Sequence, residues 1–272
     1  MIMEDSAYVF GETRHAAELD RLRLIESIFD PSSHRLLLET GLGPGKRCLE
    51  IGAGAGSIAT WMAELVGPKG HVAAVDISSR FLQDLKLPNV VVHQSDIRAI
   101  DLEPASYDLA HARFVFIHLD EWRASLDAAL RHLKPGGYIV LEEPDFSVSR
   151  PLAGTATMCK SFARVHDAIK AMFSERTMDY GFGLRLASAF QEAGLEIVHV
   201  DNDVPIVRGG HPMSRMMGLS ALQLRERYLS TGMATAEDID NYGIFSADPS
   251  CWAIYHGTVR AIARKPRTDA AV

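Results

Sequence analysis

The sequence predicts an α/β protein built on a doubly wound, mostly parallel sheet. Three observations predict this fold class. Short apolar strands alternate with amphipathic helices between residues 46 and 143. Several of these strands are almost entirely apolar, as strands covered on both faces of a sheet are. The first strand ends in a glycine-rich turn, residues 52–56, that runs directly into a helix.

The predicted elements follow a regular order. The strands of the first half span residues 47–51, 71–77, 90–94, 107–115 and 138–143, and helices span 57–66, 79–86 and 121–133. A helix over 184–193 and strands over 195–200 and 251–263 complete the core. Glycine and proline clusters separate these elements. The result is a domain of seven strands.

Helical segments accompany this core. Residues 1–45 are expected to form an N-terminal helical arm or cap, with one helix over 16–29, a stop at Asp30-Pro31 and a second helix over 33–40. Residues 46–272 form the core, with helical lid insertions at about 150–180 and 206–248. The methionines and phenylalanines of the insertions, with Trp252 and Tyr255, indicate an apolar or aromatic small-molecule pocket. Helix packing explains any one of these residues equally well.

Composition narrows the function classes. The formal net charge of −7 disfavours a nucleic-acid surface. Three cysteines without paired spacing indicate a reducing compartment, and neither they nor His111 and His132 have the spacing of metal ligands. An acidic N-terminus and the lack of long apolar runs predict a cytoplasmic protein without membrane contact. The N-terminal helix could cover the cleft or a second subunit, so a homodimer is one expectation.

Polar residues and glycines follow the ends of successive strands. They are Glu50 with the glycine turn, then Asp76, then Asp96-Ile97, then residues 113–118, and finally Glu142-Glu143. The carboxyl ends of parallel strands share one edge, where open α/β folds bind their ligands. A carboxylate at the end of the second strand can accept hydrogen bonds from both hydroxyls of a ribose. This series predicts a nucleotide-like cofactor site.

Together with Leu133-Lys134-Pro135-Gly136-Gly137, these residues make the chain resemble class I S-adenosylmethionine-dependent methyltransferases. The resemblance is close over residues 46–143 and holds in outline over 184–263. It implies a Rossmann-like fold and S-adenosyl-L-methionine as the cofactor. It implies further that Gly52, Gly54 and Gly56 face the methionine part, Asp76 binds the ribose, Ile77 flanks the adenine, and Asp96 with Ile97 binds it. Tyr8 lies in a segment similar to an arm that closes over the cofactor in some small-molecule members.

The catalytic assignments rest on position in the sequence. His118 follows the fourth strand near the expected methyl position and is the candidate general base, with packing beside Trp122 as the alternative. Arg113 is a candidate partner of the cofactor carboxylate, with an ion pair to Glu142 or Asp145 as the alternative. Glu50 favours a zwitterionic ligand end at the turn, or it pairs with a backbone amide there.

Three functions remain open at this point. The first is methyl transfer to O, N or C of a small, partly apolar or aromatic metabolite that is placed in line with the donor. The second is a protein that binds the same cofactor without methylating, as a cyclase or a sensor. The third is an NAD(P)-dependent oxidoreductase, because Gly54, Gly56 and Ala59 fit the pattern G-x-G-x-x-A with Asp76 downstream. An oxidoreductase of this kind does not explain the presence of Glu50 and Asp96 at the strand ends.

Overall fold

A seven-stranded sheet forms the centre of the structure, a computed structural model that describes residues 15–176 and 178–267. The described strands are β1 (Arg47–Ile51), β2 (His71–Asp76), β3 (Val90–Gln94), β4 (Tyr107–Arg113), β5 (Leu133–Asp145), β6 (Arg150–Ala153), β7 (Glu196–Asp203), β8 (Val207–Arg208), β9 (Trp252–Ile254) and β10 (Gly257–Arg264). The described helices are α1 (His15–Leu38), α2 (Ser57–Val66), α3 (Trp122–His132), α4 (Ala156–Glu175), α5 (Leu186–Glu192), α6 (Pro212–Gln223), α7 (Arg225–Ser230) and α8 (Ala236–Ala247).

The order of the strands places the ligand edge. The sheet runs β3-β2-β1-β4-β5-β10-β7, and β10 is antiparallel to both of its neighbours. The strand order reverses direction between β1 and β4, which are paired in parallel. This reversal creates a crevice at the carboxyl ends of the two strands, where doubly wound folds bind their ligands. The predicted Rossmann-like, mostly parallel seven-stranded sheet is confirmed.

Helix α1 continues through the predicted stop at Asp30-Pro31, so the expectation of two helices was wrong. Pro31 lies inside the helix. Tertiary contacts hold the chain on both sides of the proline. Asp30 accepts a hydrogen bond from Arg113, and the His34 ring stacks on Trp61 with centroids 4.1 Å apart. The Ser32 hydroxyl also donates to the Phe29 carbonyl at 2.8 Å. Packing against the sheet therefore overrides the local preference of proline.

Two further predicted boundaries were wrong. Within residues 79–86 only Ser79–Phe81 forms a short 3-10 helix. The chain turns at residues 82–84, and the Leu82 side chain is buried there. The predicted strand 251–263 is two strands, β9 and β10, because they belong to different sheets. Residues 255 and 256 make the connection between them.

The two predicted insertions are joined in space. A second sheet of order β6-β9-β8 takes one strand from each insertion and β9 from the C-terminal segment. Helix α4 packs on α8, and α6 packs on both α8 and α1. The Ser161 hydroxyl on α4 donates to Asp238 on α8 at 2.9 Å. Helices from both insertions and from the N-terminal segment therefore form one layer beside the central sheet.

Among the described residues, no helix combines the length and the apolar character needed to cross a membrane.

Candidate functional site

The glycine turn lies at the reversal of strand order and requires glycine at three positions. Gly52 has φ +70°, Gly54 has φ +57°, and Gly56, which caps α2, has φ +89°, a region that side chains disfavour. A Cβ atom on Gly52 would lie 2.3 Å from Cγ2 of Val115, whereas one on Gly54 would lie 3.7 Å from Leu22 of α1 and 3.9 Å from the Gly52 carbonyl oxygen. The turn therefore presents bare backbone between the loop after β4 and helix α1.

Asp76 closes β2 beside this turn. One carboxylate oxygen accepts the Gly54 N–H at 2.9 Å, and the other accepts the Ser78 N–H at 2.9 Å. Burial raises the pKa of Asp76, and the two backbone donors oppose that shift. Each oxygen of a carboxylate can accept two hydrogen bonds, so each retains a lone pair for a ligand hydroxyl. The neighbouring Ile77 side chain is 49% exposed, an apolar surface at the same edge.

Asp96 and Ile97 follow β3 at the same edge. Arg98 binds both carboxylate oxygens of Asp96, with its closest nitrogen at 2.7 Å, and lowers the pKa of that group. A ligand amino group would have to compete with this arginine. The Ile97 side chain is 5% exposed and packs in the core, so only its backbone could contact a ligand.

Glu50 belongs to a buried network that crosses three strands. His111 on β4 contacts Glu50 through Nδ1 at 2.7 Å and Glu142 on β5 through Nε2 at 3.1 Å. Burial lowers the pKa of His111, but the two carboxylates outweigh burial and raise it to about 9. The partner of Glu50 is therefore the His111 imidazolium ring, and not the backbone amide that was one of the two alternatives for this residue.

Arg113 is bound to helix α1. Its guanidinium donates to Asp30 and to the Ser33 hydroxyl, each at 2.8 Å. The predicted alternatives, Glu142 and Asp145, are not its hydrogen-bond partners among the described residues. The sequence could not indicate Asp30, because the expected helix stop placed it in a loop. Arg113 thus holds α1 over the sheet, and the structure does not favour its assignment to a cofactor carboxylate.

The loop after β4 is held by one buried carboxylate. Glu143 accepts the backbone N–H groups of Val115 at 3.0 Å, Phe116 at 2.8 Å and Ile117 at 3.1 Å. Burial raises the pKa of Glu143 to about 7, although the three donors oppose the shift. The preceding residue, Phe114, has φ +58°. Glu143 therefore positions the loop segment that packs against Gly52.

His118 ends the short 3-10 helix in this loop. Its ring centroid lies 6.0 Å from that of Phe173 on α4. Burial, with smaller contributions from Arg21 and Arg176, lowers the pKa of His118 to about 3. A general base works best with a pKa near the operating pH. The environment of His118 therefore disfavours the role of base predicted from the sequence.

An aromatic cluster that the sequence did not reveal lies beside this loop. The buried His256 ring has centroid distances of 6.1 Å to Phe29, 5.8 Å to Phe114 and 5.3 Å to Phe146. Its Nδ1 lies 2.8 Å from the Gly257 carbonyl oxygen, which can only accept. Nδ1 therefore carries the proton and Nε2 is the acceptor nitrogen. Burial lowers the pKa of His256 to about 4, so the ring is neutral at pH 7.

The position of Tyr8, which was assigned to the cofactor, lies outside the described residues. Within residues 15–176 and 178–267, no group of three or more histidine, cysteine or acidic side chains is arranged to hold a metal ion.

Comparison with known proteins identifies the family of the chain. A family model described as a methyltransferase domain matches residues 23–200, more than half of the chain. The chain is 28% identical over 199 residues to an uncharacterized 37.1 kDa protein in transposon TN4556 of Streptomyces fradiae, with 71% of this chain and 55% of that protein covered. It is 32% identical over 112 residues to methyltransferase str2 of Strobilurus tenacellus, with 41% and 40% covered. The chain thus spans about half the length of these curated relatives.

Two solved structures share the fold. The [4+2]-cyclase SpnF has a TM-score of 0.57 at 18% identity, with 89% of this chain and 82% of that chain covered. A SAM-dependent methyltransferase from Aquifex aeolicus has a TM-score of 0.50 at 18% identity, with 90% and 98% covered. The family model, the strand order and the glycine turn beside Asp76 lead to one conclusion: the chain belongs to the class I S-adenosylmethionine-dependent methyltransferases.

Proposed function

We propose that this protein transfers a methyl group from S-adenosylmethionine to O, N or C of a small, partly apolar acceptor. The observation that carries the proposal is the pair formed by the glycine turn and Asp76 at the reversal of strand order. The Gly54 N–H is bonded to Asp76, so the bare backbone and the carboxylate form one rigid unit. Such a unit suits a ligand that joins a ribose to an amino-acid end.

The residues at this edge fit the cofactor. Val115 fills the space beside Gly52, whereas the nearest atoms to a Cβ on Gly54 would be 3.7 Å away, so the cofactor chain is assigned to the backbone at Gly54. The remaining lone pairs of Asp76 are proposed to accept the ribose hydroxyls. Ile77 offers an exposed apolar side chain for the adenine, and Asp96 follows β3 at the same edge of the sheet. When bound, the cofactor supplies a methyl group activated by a sulfonium centre. The task of the protein is then to orient the acceptor and exclude water.

The aromatic cluster around His256 is the proposed acceptor site. Phe29 and Phe114 lie in edge-to-face contact with centroids 4.8 Å apart, and both rings lie near His256. Their rings would pack against an apolar or aromatic acceptor. Nε2 of His256 accepts a hydrogen bond from an acceptor hydroxyl or amine, and the bond from Nδ1 to the Gly257 carbonyl fixes its orientation. We propose His256, in place of His118, as the histidine that contacts the acceptor, with the helices of the two insertions as its lid.

Methyl-labelled cofactor tests the proposal directly. The purified protein is incubated with it and with phenols, amines and carbon acids, and labelled product and S-adenosylhomocysteine are measured. We expect transfer to at least one class. Cofactor binding without demethylation in any class would contradict the proposal and favour the cyclase or sensor function. Binding of NAD(P) in place of the cofactor would favour the oxidoreductase.

The histidine assignment has a matched control. His256→Gln should lower turnover of a hydroxyl acceptor about 100-fold or more, as loss of a proton acceptor does. Affinity for S-adenosylhomocysteine should stay unchanged, because His256 is assigned to the acceptor. His199→Gln, on the partly exposed strand β7, should change neither quantity. Unchanged turnover of His256→Gln would exclude this residue from the reaction.

A further inference from the structure

A cavity of about 190 Å³ lies next to the aromatic cluster, between α1, the end of β7, the start of α6 and β10. Its lining includes Phe29, Arg35, Asp203, His211, Thr258 and Arg260. We propose that this cavity binds a carboxylate group of the acceptor, an inference that rests on the proposed function. The cavity and the acceptor cluster share Phe29, so one molecule could occupy both.

The first support is a buried hydroxyl in the cavity wall. Thr258 is 4% exposed, and its Oγ1 has no hydrogen-bond partner among the described residues. A buried hydroxyl without a partner is costly, so such groups in folded proteins are nearly always paired. Thr258 can donate to an anionic oxygen at this place.

The second support is the balance of charge. Arg35 on α1 has no carboxylate within ion-pair distance among the described residues, so its charge is available to a ligand. Arg260 is committed to Asp201 through two hydrogen bonds of 2.8 and 2.9 Å. The N-terminus of α6, capped by His211, adds the positive end of a helix dipole. Asp203 lies 4.0 Å from the Arg260 guanidinium and is 58% exposed, so Arg260 faces two carboxylates and the net positive charge of the cavity comes from Arg35 and the helix end. The cavity therefore favours a small anion.

The third support is the position of the cavity relative to the glycine turn. Thr258 lies on β10, and β4 and β5 separate β10 from β1. Neighbouring strands are spaced ~4.8 Å apart, so the cavity floor is roughly 14 Å from the strand that carries the turn. A carboxylate held there would leave the apolar body of the acceptor among Phe29, Phe114 and His256. We infer an acceptor with an apolar ring and a carboxylate at its far end.

Phenylacetate and its uncharged match phenylacetamide test this inference. Binding of each is followed by the backbone amide signals of Thr258 and Arg260 in ¹H–¹⁵N NMR spectra of the full chain saturated with S-adenosylhomocysteine. We expect phenylacetate to shift these signals in a saturable manner and phenylacetamide to bind at least tenfold more weakly. Equal binding of the two compounds, or no saturable shift by phenylacetate, would overturn the inference.

Variants test whether phenylacetate binds in the cavity or elsewhere on the surface. Thr258→Val keeps the shape of the side chain, and Arg35→Gln keeps most of its length. Each should weaken phenylacetate binding about tenfold, the loss expected for one hydrogen bond to a charged group. Arg23→Gln is the control, because Arg23 is exposed on the same helix and pairs with Glu26. Weakening by Arg23→Gln to the same extent, or none by the other two variants, would refute the site.

A separate titration keeps the two proposals distinguishable. Affinity for S-adenosylhomocysteine is measured calorimetrically in the same samples. Tight cofactor binding without phenylacetate binding would overturn the carboxylate site alone. Absence of cofactor binding would overturn the proposed function, on which the carboxylate site depends.

Discussion

Replacement of Glu143 by glutamine should change stability in a way that depends on pH. Glu143 is fully buried and holds the loop after β4 through three backbone N–H groups. Oε1 accepts two of these bonds and Oε2 accepts one. In Glu143→Gln the amide oxygen can keep the two bonds of Oε1, while the NH₂ group faces the N–H of Ile117. One buried donor then lacks a partner, which costs about 1–3 kcal/mol.

The pKa of Glu143 sets the dependence on pH. Burial raises it from 4.5 to about 7 in the folded protein. Between these values the folded state holds a proton that the unfolded state has released. The contribution of this group to stability is therefore fully present below about pH 4.5 and declines as pH rises towards 7. A difference of roughly 2.5 pKa units corresponds to ~3 kcal/mol, an order-of-magnitude figure. Glutamine does not titrate and lacks this decline.

Urea denaturation at pH 5 and pH 8 measures both effects. Glu143→Gln should be less stable than the wild type by about 1–3 kcal/mol at pH 5. At pH 8 the difference should shrink or reverse, because the wild type then carries a buried charge. Glu64→Gln, at an exposed position on α2, should differ from the wild type by less than about 0.5 kcal/mol at either pH. An equal difference between Glu143→Gln and the wild type at both pH values would refute the reasoning.

Three further predictions concern the same edge and the helical layer. Gly52→Ala should lower both the affinity for S-adenosylhomocysteine and the free energy of unfolding, because the new Cβ would lie 2.3 Å from Val115. Val115→Ala in the same chain removes this clash and should recover the part of the loss that the clash causes. If nothing is recovered, the clash is not the cause. Arg113→Met should lower the free energy of unfolding in urea by about 1–3 kcal/mol. Asp30→Asn in the same chain should restore part of it, because the partly buried Asp30 carboxylate otherwise loses its ion-pair partner and keeps only the Ser57 hydroxyl. His166, whose pKa is lowered to about 3 by burial, makes the wild type lose stability as pH falls below 6.5, and His166→Phe should show a weaker loss between pH 6.5 and 4.

The strands of the first half were predictable because their apolar runs are short and bounded by turn residues. β1 and β3 have the predicted bounds, and β2 and β4 end one and two residues early. The errors arise where tertiary contacts override local preference. Helix α1 passes through Pro31 because Asp30 and His34 are anchored on either side of it. The break before β10 depends on the existence of the second sheet, which no local pattern indicates.

The positions of candidate site residues were predictable where they follow directly from the end of one strand. Asp76 ends β2, and the glycine turn follows β1, as the sequence pattern indicates. Partners from distant segments could not be read from the sequence, since the choice of His111 for Glu50 depends on the register between β1 and β4. His256 was missed because the predicted strand ran through it. Only the fold indicates this residue: β10 runs antiparallel to β5, so its first residues lie beside the carboxyl end of β5.

Calorimetric titration of S-adenosylhomocysteine tests the central claim most directly. We expect saturable one-to-one binding to the wild type and a loss of at least about tenfold in affinity for Asp76→Ala, because the ribose hydroxyls lose their acceptor. Asp84→Ala, at an exposed position in the segment after β2, should bind like the wild type. Absence of binding to the wild type, or equal binding by Asp76→Ala, would contradict the assignment of the glycine turn and Asp76 as the cofactor site.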